Sequence, residues 1–226
     1  MKKIFSLLAF VIISMTATAQ DDVTKFLGIP VDGSKTEMAK KIIEKGFKQH
    51  PLESNILQGE FNGINVDVHI HTTNNKVDRI MLCDQNTQSK GDIKIRFNRL
   101  CEQFKNNPKY TSAFENQTIP EDEDISYEML VNEKRYEAIF YQHPKKIDTL
   151  AVQQKVMNEL LTRYTQKQLE KPTDEIMEDS FKTTYSYLIN ILSKKSVWFM
   201  ISSFQNKYYI SMFYDNEYNR PNGQDL

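Results

Sequence analysis

The 226-residue chain carries 29 Lys and Arg against 30 Asp and Glu, a formal net charge of −1. That balance weighs against nucleic acid as a partner, since a nucleic-acid footprint is a concentrated basic face. An aromatic content of 11% excludes a disordered composition, and about two hundred residues can bury a core in one large domain or two small ones.

The N-terminus has the order of a cleavable secretory signal peptide over residues 1–19. Met1-Lys2-Lys3 is the positive end, Ile4–Ile13 the apolar run, and Ala17 and Ala19 the small-residue cleavage site. The run falls short of the about 20 apolar residues that span a bilayer. An uncleaved anchor is the competing reading. Removal takes Lys2 and Lys3 with it, so the charge moves from −1 to −3. No Cys stands at the junction. The expected product is exported to the periplasm or the exterior, is not a lipoprotein, and has no transmembrane segment after cleavage. Residues 20–226 are expected to form a single α+β domain, with 107–123 as the place where it would divide.

Phe26-Leu27-Gly28-Ile29-Pro30 is an apolar lead-in segment. Ser34-x-x-Glu37 is a capping box opening a helix with Met38, Ile42 and Ile43 on its apolar stripe, and Gly46 sits where a left-handed terminating residue belongs. Residues 55–84 are predicted as a three-stranded meander. Asn62-Gly63 suits a type I′ turn, and Ile64, Val66, Val68 and Ile70 alternate with polar residues at strand period. A second turn at Asn74-Asn75-Lys76 leads into Val77–Cys83. Asp92 caps a helix with Ile93, Phe97, Leu100, Cys101 and Phe104 on one face, ended by Asn106-Asn107-Pro108.

Residues 107–123 lack pattern and are expected to be a long loop. Alternation of Tyr127, Met129 and Val131, then of Tyr136, Ala138 and Phe140, predicts a hairpin over 125–142. Helices are expected over 149–169 and from Pro172 to Leu192, and a last hairpin over 196–214 turning near Gln205-Asn206-Lys207. Helices alternating with hairpins, without parallel crossovers, specify an α+β fold: an antiparallel sheet with helices packed on one face. Cys83 and Cys101 are expected either to form a disulfide or to remain as thiols, Cys101 then buried in the helix face.

Two resemblances rest on particular stretches. Phe26–Gly33, Gly91–Leu100, Ile119–Met129, Lys195–Met200 and Tyr208–Arg220 resemble uncharacterised small secreted proteins of Bacteroidota-type bacteria, a family that implies no activity. Residues 26–84, with Gly28, Gly33 and Gly46, are similar in outline to the helix-then-meander unit of β-lactamase-inhibitor-protein-like folds, whose members bind proteins.

Several constellations could carry chemistry. Asp67, His69 and His71 project from one face of one strand, and two His at i and i+2 with a carboxylate suit zinc, with Asp78 across the hairpin as a further ligand. Asp215, Glu217 and Asn219 have the oxygen spacing of a calcium loop, but Arg220 stands where its sharp turn needs Gly. Glu121–Asp124 clusters carboxylates. His50 and His143 stand beside prolines, and no hydrolase, thiol or phosphate-loop motif is present. The final hairpin is rich in aromatics, and both faces cannot be buried unless each is covered. Either the hairpin is central and covered on both sides, its aromatics then being core, or one face is an exposed aromatic surface, in which Trp198, Tyr208, Tyr209 and Tyr214 would bind a protein or small ligand of the envelope or exterior. The expected function is that of an exported, non-catalytic binding protein. The alternative is a metal-dependent or acid/base hydrolase using the Asp67/His69/His71 face; no cofactor is otherwise implied.

Overall fold

The computed structural model describes residues 22–220; the stretch read as a signal peptide, residues 1–19, lies outside them. The short hairpin β1 (Lys25–Phe26) and β2 (Ile29–Pro30) comes first, reversed by Leu27 and Gly28 at φ of 51° and 81°. Helix α1 (Lys35–Ile43) follows. Its capping box forms as expected: the Ser34 hydroxyl accepts the Glu37 N–H while the Glu37 carboxylate accepts the Ser34 N–H. Gly46 ends it at φ +100°.

Strand β3 (Lys48–Gln49) leads into the meander β4 (Ile56–Phe61), β5 (Ile64–Thr73) and β6 (Lys76–Asp84). Asn62 and Gly63 turn β4 into β5 with positive φ at both positions, and Asn74 and Asn75 turn β5 into β6 in the same way. Helix α2 (Lys90–Lys105) is capped by Ser89, three residues before the expected Asp92, whose own N–H the Ser89 hydroxyl accepts. Then come β7 (Tyr110–Ser112), helix α3 (Ile125–Val131) and β8 (Glu137–Gln142). Helices α4 (Thr149–Leu160), α5 (Gln166–Glu170) and α6 (Asp174–Ser193) are inserted before the closing hairpin of β9 (Ser196–Phe204) and β10 (Lys207–Asp215).

The eight strands β3 to β10 form one antiparallel sheet in the order β3-β4-β5-β6-β10-β9-β8-β7. Each half of the sheet contributes four strands after one leading helix, α1 or α2, with α3 to α6 inserted among the strands of the second half, and the halves meet where β6 pairs with β10. Helices α1 and α2 pack on one face, where Val66, Val68, Ile80, Leu82, Phe97, Phe140, Phe199 and Ile210 form the core. Among the described residues no helix is long and apolar enough to cross a membrane.

Three expectations change. The first strand of the hairpin predicted over 125–142 is helix α3. The Asp124 carboxylate accepts the Ser126 and Tyr127 N–H groups, and Ile125 and Met129 then share one apolar side at i and i+4, leaving Tyr127 and Val131 exposed. The partner that β8 needs on its outer edge is instead β7, inside the stretch predicted as loop. The helix predicted over 149–169 breaks between Leu160 and Gln166, where Thr165 starts α5. Of the two readings for the cysteines the thiols hold: Cys83 and Cys101 are both free, because Cys83 points from the face of β6 opposite α1 and α2 while Cys101 lies on α2 in the core beneath the other face.

Candidate functional site

Strand period and register together decide what the face opposite α1 and α2 presents. Side chains alternate along each strand, so one residue in two from every strand joins a row running across the sheet. The pairings Ile56 with His69, His69 with Met81, Met81 with Phe213, Phe213 with Trp198, and Trp198 with Ile139 define such a row over six strands. At about 4.8 Å per strand it spans about 24 Å. Four neighbours in it, Met81, Phe213, Trp198 and Ile139, are apolar. The rows on either side are mixed: His71, Arg79, Asp215, Ser196 and Tyr141 on one, and Asp67, Cys83, Ser211, Met200 and Glu137 on the other.

The centre of the row is held in place by polar contacts. Trp198 and Phe213 stack with centroids 4.0 Å apart and planes 16° apart. The Arg79 guanidinium lies over both rings, 4.9 Å from the Phe213 centroid and 5.5 Å from that of Trp198. Asp215, 1% exposed, accepts from Arg79 Nε at 2.5 Å, Arg79 Nη2 at 2.9 Å and Trp198 Nε1 at 2.8 Å, and forms an ion pair with Arg220 Nη2 at 3.0 Å. Burial alone would lower the Arg79 pKa, but the hydrogen bonds and charge of Asp215 outweigh it and hold the guanidinium above its usual range. Burial pushes the Glu217 carboxyl up, with Arg220 partly opposing it. Beside this cluster Arg79, Arg135, Ile139, Tyr141, Lys194 and Trp198 help to line a hollow of about 540 Å³ between the sheet and the C-terminal end of α6. The Tyr141 hydroxyl is raised by burial and further by neighbouring Tyr185. Tyr185 continues an exposed stripe on α6 with Met177 and Phe181, beside the small core that α6 shares with Val152, Val156 and Leu160.

The four aromatic candidates divide between the two faces. Trp198 and Tyr209 stand half-exposed on the uncovered face. Tyr208 and Tyr214, at 6% and 4% exposure, belong to the core, because their positions in β10 have the opposite parity. Tyr208 donates its hydroxyl to Ser126, and Tyr214 packs 5.1 Å from Phe26. They are not part of an exposed binding surface.

The expected metal site does not form: among the described residues no three His, Cys, Asp or Glu side chains are placed to hold an ion. Asp67, His69 and His71 do share the uncovered face, but Asp67 accepts from the Gln58 and Gln85 side chains. The register sets His71 against Arg79, a cation, and Asp78 falls at the bulge between His71 and Thr72. Burial lowers the His69 pKa, with Asp67 partly opposing it. The calcium spacing is likewise spent elsewhere: Asp215 and Glu217 pair with arginines, and Asn219 donates to Asp32 and the Val77 carbonyl. In the acidic run, Glu123 takes Lys134 and Tyr136 while Asp124 caps α3 and pairs with Lys90. His50 accepts the Leu52 and Glu53 N–H groups, and His143 pairs with Thr111.

Arg79, Met81 and Ile139 carry no motif, and Asp215 is marked only by its calcium-like spacing. Only the order of strands brings them to Trp198. No known protein family, no curated protein and no solved structure matches the chain.

Proposed function

We propose that the chain is an exported, non-catalytic binding protein that holds another protein against the uncovered face of its sheet. The observation that carries this reading is the row Met81–Phe213–Trp198–Ile139, in which Met81, Trp198 and Ile139 are part-exposed and Phe213, 8% exposed, lies beneath Arg79; α1 and α2 pack on the other face, and the C-terminal end of α6 borders the row only at its β8 end. Trp, Tyr, Met and Arg are the residue types enriched in protein interfaces, and a rigid aromatic centre with a polar border is how contact energy is concentrated. The similarity in outline to β-lactamase-inhibitor-protein-like folds, whose members bind proteins, supports a protein partner. Export rests on the signal-peptide pattern of residues 1–19.

The test is capture from envelope and culture fractions by protein beginning at Gln20. Three baits are compared: the wild type, Met200→Arg on the uncovered face, and Ile95→Arg, at an exposed position of α2 on the far side. The reading expects one partner retained by the wild type and by Ile95→Arg and lost with Met200→Arg. Equal capture by all three, or loss with Ile95→Arg alone, contradicts it.

A further inference from the structure

The helix side of the sheet holds a second feature. A hollow of about 770 Å³ opens between the C-terminal end of α2, the β1–β2 hairpin, the β4–β5 turn and strands β7 and β8. Its size lies within the roughly 300–1,000 Å³ of small-molecule sites. The apolar lining is Leu27, Phe61, Leu100, Phe104, Tyr110 and Tyr214. Phe104 meets Tyr110 edge-on with centroids 4.8 Å apart, and Tyr214 meets Phe61 at 6.4 Å, so the floor is largely aromatic.

The rim has a definite charge. Lys25, Lys109, Lys145 and Lys195 face Asp22 and Glu60. Lys195, 4% exposed, is committed to Asp22 at 2.5 Å and to the His143 carbonyl at 3.2 Å. Lys25, Lys109 and Lys145 form no ion pair among the described residues. Ammonium groups gathered without partners repel one another, and an anion placed among them relieves that repulsion. Gln142 is fixed at the same wall: its amide bonds both the N–H and the carbonyl of Lys25, at 2.8 and 2.7 Å, and donates to the Tyr110 hydroxyl at 3.2 Å. Burial raises the Tyr110 hydroxyl above its ordinary range, with Gln142 partly opposing, and raises the Tyr214 hydroxyl further, with Tyr110 adding to it.

We infer that this hollow is a binding site for a small amphipathic organic anion, with an aromatic or aliphatic body on the Phe61/Phe104/Tyr110/Tyr214 floor and a carboxylate or sulfonate among Lys25, Lys109 and Lys145. An uncharged ligand would leave the three ammonium groups as they are. A cation would be repelled. The site lies on the opposite side of the sheet from the row around Trp198, and it stands or falls apart from the partner proposed for that face.

The test uses protein beginning at Gln20 and two probes of one shape: 8-anilinonaphthalene-1-sulfonate and its uncharged counterpart N-phenyl-1-naphthylamine. Titration calorimetry at low salt should give one sulfonate per chain, bound about tenfold more tightly than the neutral probe. The pair Lys109→Glu/Lys145→Glu should weaken sulfonate binding about tenfold. The charge-matched pair Lys76→Glu/Lys167→Glu, at exposed positions outside the hollow, should leave it unchanged. All four lysines are exposed, so both pairs should fold, and a thermal melt checks this. Absence of saturable binding, equal affinity for the two probes, or equal loss in the two lysine pairs would overturn the inference.

Discussion

Replacing Asp215 by Asn tests whether the polar cluster organises the uncovered face. The Asp215 side chain is 2% exposed, while those of Arg79 and Arg220 are 25% and 28% exposed. Asn keeps one oxygen but turns an NH₂ group toward donors, so the Arg79 fork, the Trp198 indole N–H and Arg220 lose acceptors. Breaking a fully buried pair costs about 3–5 kcal/mol. Water can reach both arginines and repays part of that, so about 2–3 kcal/mol of stability should be lost. Trp198 is the one tryptophan in the sequence, so urea unfolding followed by its fluorescence, with circular dichroism in parallel, reports both the stability and the local packing. A double-mutant cycle with Arg79→Met should give a coupling of about 1–2 kcal/mol. A loss under about 1 kcal/mol with additive single changes would refute the reasoning, since it would mean that the cluster decorates the face without bracing it.

The remaining expectations concern packing, pH and thiols. In Gly59→Ala the new Cβ would lie 2.5 Å from Cδ1 of Phe47 and 2.8 Å from its Cγ and Cε1. Overpacking should cost about 1–3 kcal/mol by urea unfolding, with recovery on adding Phe47→Leu; an unchanged midpoint counts against the packing of β4 on Phe47. His69 has a folded pKa below its ordinary 6.5, chiefly through burial. The unfolded chain then holds more protons between the two values, so stability falls as pH drops below the unfolded value and through the folded one. His69→Gln should remove that part of the acid loss, and a steeper acid loss in the variant would contradict the assignment. Both thiols resist ionisation through burial, Cys101 pushed up to about 12. A thiol reagent should react with the native protein slowly and with two groups per chain after unfolding. A mass showing a Cys83–Cys101 bond would contradict their placement on opposite sides of the sheet.

Much of the fold was legible because it is set by short-range chemistry. Asn62-Gly63, Asn74-Asn75 and Gln205-Asn206 all turn with positive φ, and Ser34 with Glu37 closes its capping box. Where two local readings fitted the same residues, the pattern failed. Tyr127, Met129 and Val131 alternate as a strand would, yet Asp124 offers an acceptor that favours a helix, and that helix buries Ile125 instead. The candidate site was less legible. The aromatic wealth of the last hairpin was visible, but the parity that sends Tyr208 and Tyr214 to the core and Trp198 and Tyr209 to the open face depends on which face α1 and α2 cover. Arg79 and Asp215 lie 136 positions apart and meet only because β6 and β10 are neighbours. The gathering of Lys25, Lys109 and Lys145 at one hollow has the same long-range origin.

The most direct measurement places a photo-reactive benzophenone side chain at Tyr209, half-exposed on the uncovered face, and separately at Ile95 on α2. On irradiation in envelope and culture fractions, Tyr209 should join the chain to one discrete partner while Ile95 yields none. A partner joined at Ile95 and absent at Tyr209 would contradict the assignment of the open sheet face as the contact surface.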